Sequence, residues 1–325
     1  MIKPLTISIA MTTYNGERFL QEQLDSFTNQ SRLPDELVVC DDGSQDSTMK
    51  ILQAFAERAP FKVRLYQNPE NLGVSKNFEK AMSLCQGDII VLSDQDDVWR
   101  FPKLAIIEQA FIKYPNVGLV LHDAVITSEN LYPLEDSMWK HYELLYLPEY
   151  LAAGHFTWFF KKYWGINGAF MALSKSLLEM LLPIPPLWCH DKWISFAGST
   201  LLGVVPIPLQ LTLYRNHPNQ TSKFKLLGLI GNFNTARTTT RICYQERALM
   251  WKEALYRFLA DAKFSKHKDI IPMIETKIEH YLERYNMPDS VFGRVAYILA
   301  NKRIKRYHEY SRGWLSIAKD IVNYT

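Results

Sequence analysis

The chain has little of what marks secreted, disulfide-bonded or membrane-spanning proteins. It has four cysteines in 325 residues, and their spacing matches neither a disulfide framework nor a zinc site: Cys40, Cys85, Cys189 and Cys243. We therefore expect a reducing compartment, the cytoplasm. No run reaches the roughly 18 uninterrupted apolar residues that a spanning helix needs. The start, Met1-Ile2-Lys3-Pro4, leads directly into an apolar run and predicts no secretory signal peptide.

The small net charge of +3 conceals two regions of opposite charge. Residues 1–222 carry 18 Lys and Arg against 24 Asp and Glu, whereas residues 223–325 carry 19 against 10. This change of sign predicts two regions with different partners, 1–222 and 223–325. An acidic first region would repel phosphates, so we expect no nucleic-acid partner. With 47% hydrophobic residues, the composition is that of a globular protein with a full core.

The first hundred residues alternate short apolar runs with helical patterns. This alternation predicts an α/β fold, a mostly parallel sheet flanked by helices on both faces. The predicted strands cover residues 7–11, 36–40, 63–65 and 89–92. After residue 223 the pattern predicts helices alone, over residues 242–262, 270–285 and 290–319.

Polar clusters follow three of the predicted strands, at residues 12–15, 41–44 and 94–97. Ligands of parallel sheets bind beyond the carboxyl ends of the strands. Three polar clusters at one edge therefore predict a ligand site there. By itself the 41–44 cluster is also typical of a turn with a helix cap.

Ser93-Asp94-Gln95-Asp96-Asp97 places three carboxylates directly after a buried strand. Two carboxylates about 4 Å apart repel by about 4 kcal/mol at an effective dielectric of 20, so the cluster needs a counter-charge. A divalent cation that takes oxygen ligands, Mg²⁺ or Mn²⁺, meets that need. The alternative is a solvated acidic turn.

Four segments occur in an order that resembles a known family. They are Ala10-Met11-Thr12-Thr13-Tyr14-Asn15-Gly16, Val39-Cys40-Asp41-Asp42-Gly43-Ser44, Asn71-Leu72-Gly73 and Ser93-Asp94-Gln95-Asp96-Asp97-Val98-Trp99. The set resembles glycosyltransferase family 2, whose members are inverting enzymes with the GT-A fold. The last segment is most similar to the family's bacterial rhamnosyltransferase branch. The resemblance covers about residues 5–222, so the basic region predicted to be helical, 223–325, lies outside the family's catalytic core.

The resemblance implies roles for individual residues. The donor nucleotide sugar would be bound by Thr12, Tyr14, Asp42, Lys76, Asp94 and Asp96. The metal would be held by Asp96, Asp97 and His217, with the choice between the two aspartates left open. Asp191 would be the catalytic base, and Gly168, His190 and Trp193 would lie on the acceptor side. From the residues alone, a helix N-terminal charge is the preferred interpretation of Asp191, and a hydrogen-bonded loop residue is the alternative for His217.

The implied activity is sugar transfer from dTDP-rhamnose to a hydroxyl of a bacterial surface polysaccharide or its lipid-linked precursor. Alternatives are a UDP-hexose donor, a nucleotidyltransferase and a non-catalytic scaffold. The basic cluster Lys302-Arg303-Ile304-Lys305-Arg306 suggests a peripheral contact with the inner face of the cell membrane. The same region is also a candidate homo-oligomer contact, and the aromatic stretch at 137–164 a candidate for stacking on acceptor sugars.

Overall fold

The computed structural model describes residues 4–141, 167–220, 241–300, 303–311 and 313–322. The chain divides into two units. The described part of the first unit comprises residues 4–141, 167–184 and 188–220, and that of the second comprises residues 185–187 and those from 241 onward. Most of the aromatic stretch predicted to stack on sugars, from Tyr142 to Trp164, lies outside the described residues.

The first unit is a nine-stranded sheet with helices packed against it. Its strands are β1 (Ile7–Thr13), β2 (Glu36–Asp41), β3 (Lys62–Gln67), β4 (Ile89–Ser93), β5 (Val98–Trp99), β6 (Leu119–Thr127), β7 (Pro133–Glu135), β8 (Met171–Ser174) and β9 (Val204–Arg215). Its helices are α1 (Leu20–Thr28), α2 (Thr48–Arg58), α3 (Val74–Leu84), α4 (Lys103–Lys113), α5 (Met138–His141), α6 (Lys175–Leu181) and α7 (His190–Leu201).

The sheet order is β3-β2-β1-β4-β8-β6-β9-β5, with β7 paired to β6. The first four strands are parallel, and the α/β prediction for them is confirmed. Beyond β4 the sheet becomes mixed, because β8 runs antiparallel to both β4 and β6. Strand β6, nine buried residues in the middle of the sheet, was not predicted. Continuous burial of this kind, which here includes the polar residues His122, Asp123 and Thr127, is typical of a strand covered on both faces.

The parallel strands bring the three predicted polar clusters to one edge. Thr13 of β1 is in register with Asp41 of β2, and Met11 of β1 with Ser93 of β4. Below this edge β1, β2 and β4 are buried along nearly their whole length and form the core with α1, α2 and α4. Burial of their apolar side chains holds these strands in register, and the register determines where the polar loops after them begin.

The second unit is helical, and none of its described residues lies in a strand. Its helices are α8 (Arg241–Ala260), a 3-10 segment (Ala262–Ile270), α9 (Ile271–Tyr285), α10 (Val291–Leu299), α11 (Arg303–Tyr310) and α12 (Trp314–Val322). The prediction of one helix over 290–319 was wrong, because three short helices occupy that range. Gly313, at φ +55°, donates its N–H to the Tyr307 carbonyl and separates α11 from α12. Among the described residues, no helix combines the length and hydropathy needed to cross a bilayer.

A buried ion pair connects the helices of the second unit. The Arg284 guanidinium donates to both carboxylate oxygens of Asp320, at 2.7 and 2.9 Å. The hydroxyls of Tyr244 and Tyr307 donate to the same carboxylate at 2.7 and 2.6 Å. All four side chains are buried. Because both charges are paired and hydrogen-bonded, α8, α9, α11 and α12 are held in one arrangement.

A second buried charge in this unit predicts a pH-dependent stability. Burial, assisted by the charge of Arg247, lowers the pKa of Lys277 to about 7. The folded state therefore resists binding a proton that the unfolded state holds up to about pH 10. The resulting loss of folding stability is complete below pH 7, and it disappears as the pH rises from 7 to 10. Lys277→Met should raise the free energy of unfolding at pH 7 by about 3 kcal/mol, with a smaller gain at pH 10.

Urea unfolding at several pH values measures this effect, and Lys252→Met is the matched control because Lys252 is exposed on α8. Methionine also preserves contact with the ring of Trp251, over which the Lys277 ammonium lies at 4.4 Å. A loss of stability at pH 7 would contradict the prediction.

Candidate active site

The loop between β4 and β5, residues 94–97, is called the acidic loop here, and it contacts the end of β9. Asp96 Oδ2 lies 2.9 Å from Nε2 of His217, two residues beyond β9. The Asp96 carbonyl accepts a hydrogen bond from Nε of Arg215 at 2.8 Å. The buried Arg215 guanidinium also contacts the Glu129 carbonyl and donates to Glu22 Oε2 at 2.9 Å. Arg215 thus holds the backbone of Asp96 in the position from which its carboxylate contacts His217.

Asp97 points away from this pair, as expected for a neighbouring residue in extended chain. It is buried, and its Oδ1 accepts the backbone N–H of Arg215 at 3.1 Å. Burial, together with the charges of Asp96 and Asp94, raises the pKa of Asp97 well above its usual range. The structure therefore places Asp96 in contact with His217, whereas the Asp97 carboxylate is buried against the backbone of Arg215.

Asp94 lies where the acidic loop and α7 come together. Burial, and then the charges of Asp96 and Asp191, raise the pKa of Asp94 to about 7, against an opposing effect of Lys103. Asp191, in the first turn of α7, is therefore close enough to act electrostatically on Asp94. The predicted base Asp191 therefore shares one electrostatic environment with Asp94 and Asp96, about a hundred residues earlier in the chain.

Lys103 is a functional residue that the sequence analysis missed. Its ammonium is fully buried, donates to Thr212 Oγ1 at 3.0 Å and to the Ala169 carbonyl at 3.2 Å, and lies 3.8 Å above the Trp99 ring. Its charge lowers the pKa of both Asp94 and Asp97. Burial in turn lowers the pKa of Lys103 itself well below its usual value. Lys103 is thus a built-in counter-charge beneath the acidic loop.

A signal for Lys103 was present in the sequence. It stands four residues before Ile107 and eight before Phe111, on the buried side of α4. Lysine is rarely fully buried without an ionic partner. A lysine at a core position of an amphipathic helix that follows an acidic motif therefore indicates a buried charge pair.

The predicted nucleotide-binding residues surround the same edge. Thr12 is half-buried at the end of β1, and Tyr14 is half-exposed after it. The side-chain amide of Gln95 holds this loop, accepting the Tyr14 N–H at 2.9 Å and donating to the Tyr14 carbonyl at 3.1 Å. A Cβ on Gly16 would lie 2.2 Å from Gln95 Oε1, so glycine is required for this contact.

Asp42 is bound from within the protein. Its Oδ1 accepts from Asn68 Nδ2 and from the Leu72 N–H, both at 2.8 Å, and its Oδ2 accepts the Gly73 N–H at 2.9 Å. These bonds fix the loop that precedes α3. The predicted contact of Asp42 with a nucleotide base stays a prediction.

Lys76, predicted to lie near a donor diphosphate, is in the first turn of α3. Its ammonium donates to Glu79 Oε2 at 2.8 Å and to the Ile184 carbonyl at 3.3 Å. About half of the Lys76 side chain is exposed, whereas Glu79 is largely buried, so water reaches the ammonium and weakens the pair. The amine can therefore leave Glu79 for a phosphate at little cost.

The predicted acceptor-side residues pack beneath the start of α7. The His190 ring is buried and stacked on Phe78, with centroids 4.2 Å apart, and burial lowers its pKa. Gly168 lies against this ring. Trp193 is fully buried and donates its indole N–H to the Leu181 carbonyl at 3.1 Å. In this structure the Trp193 side chain packs α7, and its predicted place on the acceptor side stays a prediction.

The contact between Gly168 and His190 predicts an effect on activity. A Cβ on Gly168 would lie 2.6 Å from His190 Nε2, and the stacked ring has no room to retreat. Gly168→Ala should shift the start of α7, which carries Asp191, and lower the free energy of unfolding by about 1–3 kcal/mol. We expect kcat of the reaction at this site to fall about tenfold or more.

Gly118→Ala is the matched control, since its Cβ would lie 2.7 Å from Leu202 Cβ, away from the acidic loop. Thermal unfolding and initial rates should show both variants destabilised and only Gly168→Ala slowed. Equal rates in the two variants would contradict the argument.

Asp96 and His217 have the spacing of two ligands of one metal ion. Neighbouring ligands of an octahedral ion with bonds of 2.0–2.1 Å are about 3 Å apart, which matches the 2.9 Å between Oδ2 and Nε2. Among the described residues no group of three His, Cys, Asp or Glu side chains is arranged to hold a metal. The site thus fits an ion held by two side chains, with its remaining positions open to substrate oxygens.

Comparison with known proteins identifies the family. Residues 8–181 match Glycosyl transferase family 2. The chain belongs to this family. It is 28% identical over 253 residues to a dTDP-rhamnosyl transferase of Shigella flexneri, covering 71% of this chain and 83% of that protein. Mycobacterial relatives match at 31% identity over 126 residues, and the chain spans only 36% of their length.

Two solved structures share the fold across nearly the whole chain. S. aureus TarS 1–349 in complex with UDP-GlcNAc aligns with a TM-score of 0.59 at 16% identity, over 98% of this chain and 89% of that one. A mannosyltransferase from Pyrobaculum calidifontis, in complex with GDP-Man and Mn²⁺, aligns with a TM-score of 0.56 at 17% identity, over 99% and 86%. The predicted family 2 resemblance and GT-A fold are confirmed.

Proposed function

We propose that this family 2 protein transfers a sugar from a nucleotide diphosphate to an acceptor hydroxyl, with inversion at the sugar. The observation that carries the proposal is the gathering of Asp94, Asp96, Asp191 and His217 at the carboxyl edge of the parallel strands. The loops after β1 and β2, with the predicted base-binding residues, border the same edge.

Asp191 is the proposed base. Its carboxylate takes the proton of the acceptor hydroxyl while the hydroxyl oxygen attacks the anomeric carbon of the donor. The bond from that carbon to the diphosphate oxygen breaks on the opposite face, and the nucleoside diphosphate leaves with the electron pair. Because base and leaving group lie on opposite faces, the configuration inverts in one step. Asp191 accepts the Lys192 N–H through Oδ1 at 2.7 Å, which orients the carboxylate.

Asp96 and His217 would hold a divalent ion, Mg²⁺ or Mn²⁺, whose charge stabilises the leaving diphosphate when bound. The Mn²⁺ reported with the mannosyltransferase of the same fold supports this assignment. Asp94 would accept hydrogen bonds from the donor ribose, and Lys76 would exchange Glu79 for a donor phosphate.

The proposed donor is dTDP-rhamnose, supported by the Shigella relative that aligns over most of both chains. The UDP-GlcNAc reported with TarS keeps a UDP-hexose as the second candidate. The proposed acceptor is a hydroxyl of a bacterial surface polysaccharide or its lipid-linked precursor. Such acceptors would place the enzyme at the inner face of the cell membrane.

Calorimetric titration with dTDP and with UDP, each with and without Mn²⁺, tests the proposal. We expect Mn²⁺-dependent binding that favours dTDP, followed by turnover of dTDP-rhamnose. His217→Ala should remove the dependence of nucleotide binding on Mn²⁺. His267→Ala is the control, because His267 belongs to the second unit, and it should keep that dependence. A preference for UDP would move the donor to a UDP-hexose. Failure of dTDP, UDP and GDP to bind would overturn the proposed function.

A further inference from the structure

Helix α10 presents an apolar stripe outward. Phe292, Ala296 and Leu299 are exposed and spaced as one side of a helix. The single charged residue of the helix, Arg294, is buried on the opposite side. The usual amphipathic pattern, polar outside and apolar inside, is thus absent from the outer side of α10.

Helix α12 repeats the arrangement. Trp314, Leu315, Ala318 and Val322 are exposed, whereas Ile317 and Asp320 are buried. We call the large side chains of both stripes the apolar surface; they are between 65 and 88% exposed: Phe292, Leu299, Trp314, Leu315 and Val322. Single exposed apolar residues are ordinary, but stripes of them on two helices that share one core make a candidate binding surface.

The two stripes belong to one rigid arrangement. Ile298 of α10 and Ile317 of α12 pack into the same small core with Met287 and Tyr307. The Arg294 guanidinium also donates twice to the Ile321 carbonyl, at 3.0 and 2.6 Å. The inner sides of α10 and α12 therefore pack against each other, and the stripes on their outer sides are exposed to solvent.

Charge indicates which partner. Residues 291–325 contain seven Lys and Arg against two Asp and Glu. A second copy of the chain would bring the same positive excess to the contact and be repelled. An anionic bilayer would be attracted, at about 1 kcal/mol per basic residue near its surface. Arg294, Arg303 and Arg306 are engaged within the protein, and the other four Lys and Arg still outnumber the two acidic residues, so the charge favours lipid over self-association.

Hydrogen bonds within the protein engage part of the predicted polybasic cluster. Arg306 donates to Glu283 and Glu279 at 2.9 and 2.8 Å, and Arg303 donates to the Tyr297 carbonyl at 2.7 Å. These two arginines of the predicted polybasic cluster are thus engaged within the protein, and Lys305 is the exposed cation among the cluster's described residues.

We propose that the apolar surface docks the second unit on an anionic lipid bilayer. Phe292, Trp314 and Leu315 enter the boundary between head groups and acyl chains, and the surrounding basic residues attract the anionic lipids. Each helix has nine residues and lies on the membrane without crossing it. This docking does not depend on the proposed sugar transfer.

Flotation of the full chain with lipid vesicles tests the proposal, using phosphatidylcholine alone or with about one third phosphatidylglycerol. We expect binding to the anionic vesicles that high salt weakens but does not abolish. The double variant Phe292→Gln, Leu315→Gln should weaken this binding about 100-fold, at about tenfold for each apolar side chain removed. The matched control replaces Tyr256 and Leu259, which are exposed on α8, with glutamine and should bind as the wild type.

Three results would overturn the proposal. They are no flotation of the wild type with anionic vesicles, unchanged flotation of the double variant, and complete loss of binding in high salt. Light scattering on the same protein samples measures the molar mass in solution and so tests whether a second copy of the chain covers the apolar surface instead. A dimer that the double variant converts to a monomer would make the surface a contact between copies.

Discussion

Replacing Asp191 with asparagine should lower kcat for sugar transfer by about 10²–10⁴-fold, the usual contribution of a general base. Asparagine has nearly the same shape but cannot accept the acceptor's proton. Because the amide should leave the donor contacts intact, the dissociation constant for the nucleotide should change little. Initial rates and calorimetric titration on the same preparation would measure the two quantities.

The alternative role of Asp191 is structural, since it lies in the first turn of α7. A carboxylate there stabilises a helix by about 0.3–1 kcal/mol, far less than the activity change expected of a base. Asp136→Asn is the control for a lost surface carboxylate, because Asp136 is exposed between β7 and α5. If the Asp191 variant keeps more than about a tenth of wild-type kcat, it is not the base.

The position of the site could be predicted from sequence because it depends on a rule of sheet topology. Buried runs at 7–11, 36–40 and 89–92 predict parallel strands, and parallel strands bring their following loops to one edge. The convergence of Tyr14, Asp41 and Gln95 in the structure follows from that pattern. The sheet rule does not give the pairing of Asp96 with His217, which depends on where β9 ends relative to β4; only the family resemblance placed these two residues together.

Residues whose role depends on side-chain packing could not be predicted in this way. Trp193 belongs to a motif that suggests an acceptor site, yet its indole is directed into the core. Asp42 belongs to a nucleotide-binding motif, and the pattern did not show that both its oxygens also bind the loop at Leu72 and Gly73. A sequence motif specifies the residue type, whereas the rotamer that decides its contacts depends on neighbours from other elements.

The acidic loop was expected to need a counter-charge, and a metal ion was the predicted source. The structure contains a second source, the ammonium of Lys103, beneath the same carboxylates. Replacing Lys103 with methionine should therefore lower the free energy of unfolding by about 3–5 kcal/mol at pH 8, since it leaves buried carboxylates without their partner. Thr212 and the Ala169 carbonyl would each lose a hydrogen bond as well.

The cost of Lys103→Met should depend on pH in a defined direction. Without the ammonium, the pKa of Asp94, already raised to about 7, rises further. The folded state then binds protons more tightly than the unfolded state, so its stability increases as the pH falls through the folded pKa. The difference from wild type should be largest above pH 8 and should shrink below about pH 6.

Urea unfolding of the wild type, Lys103→Met and Lys113→Met at pH 6 and pH 8 would measure this dependence. Lys113 is the matched control because it is exposed at the end of the same helix, α4. Wild-type stability of Lys103→Met at pH 8 would mean that the buried amine is neutral in the folded protein. The carboxylates would then share protons with one another, and the charge of the loop would have to be balanced from the substrate side.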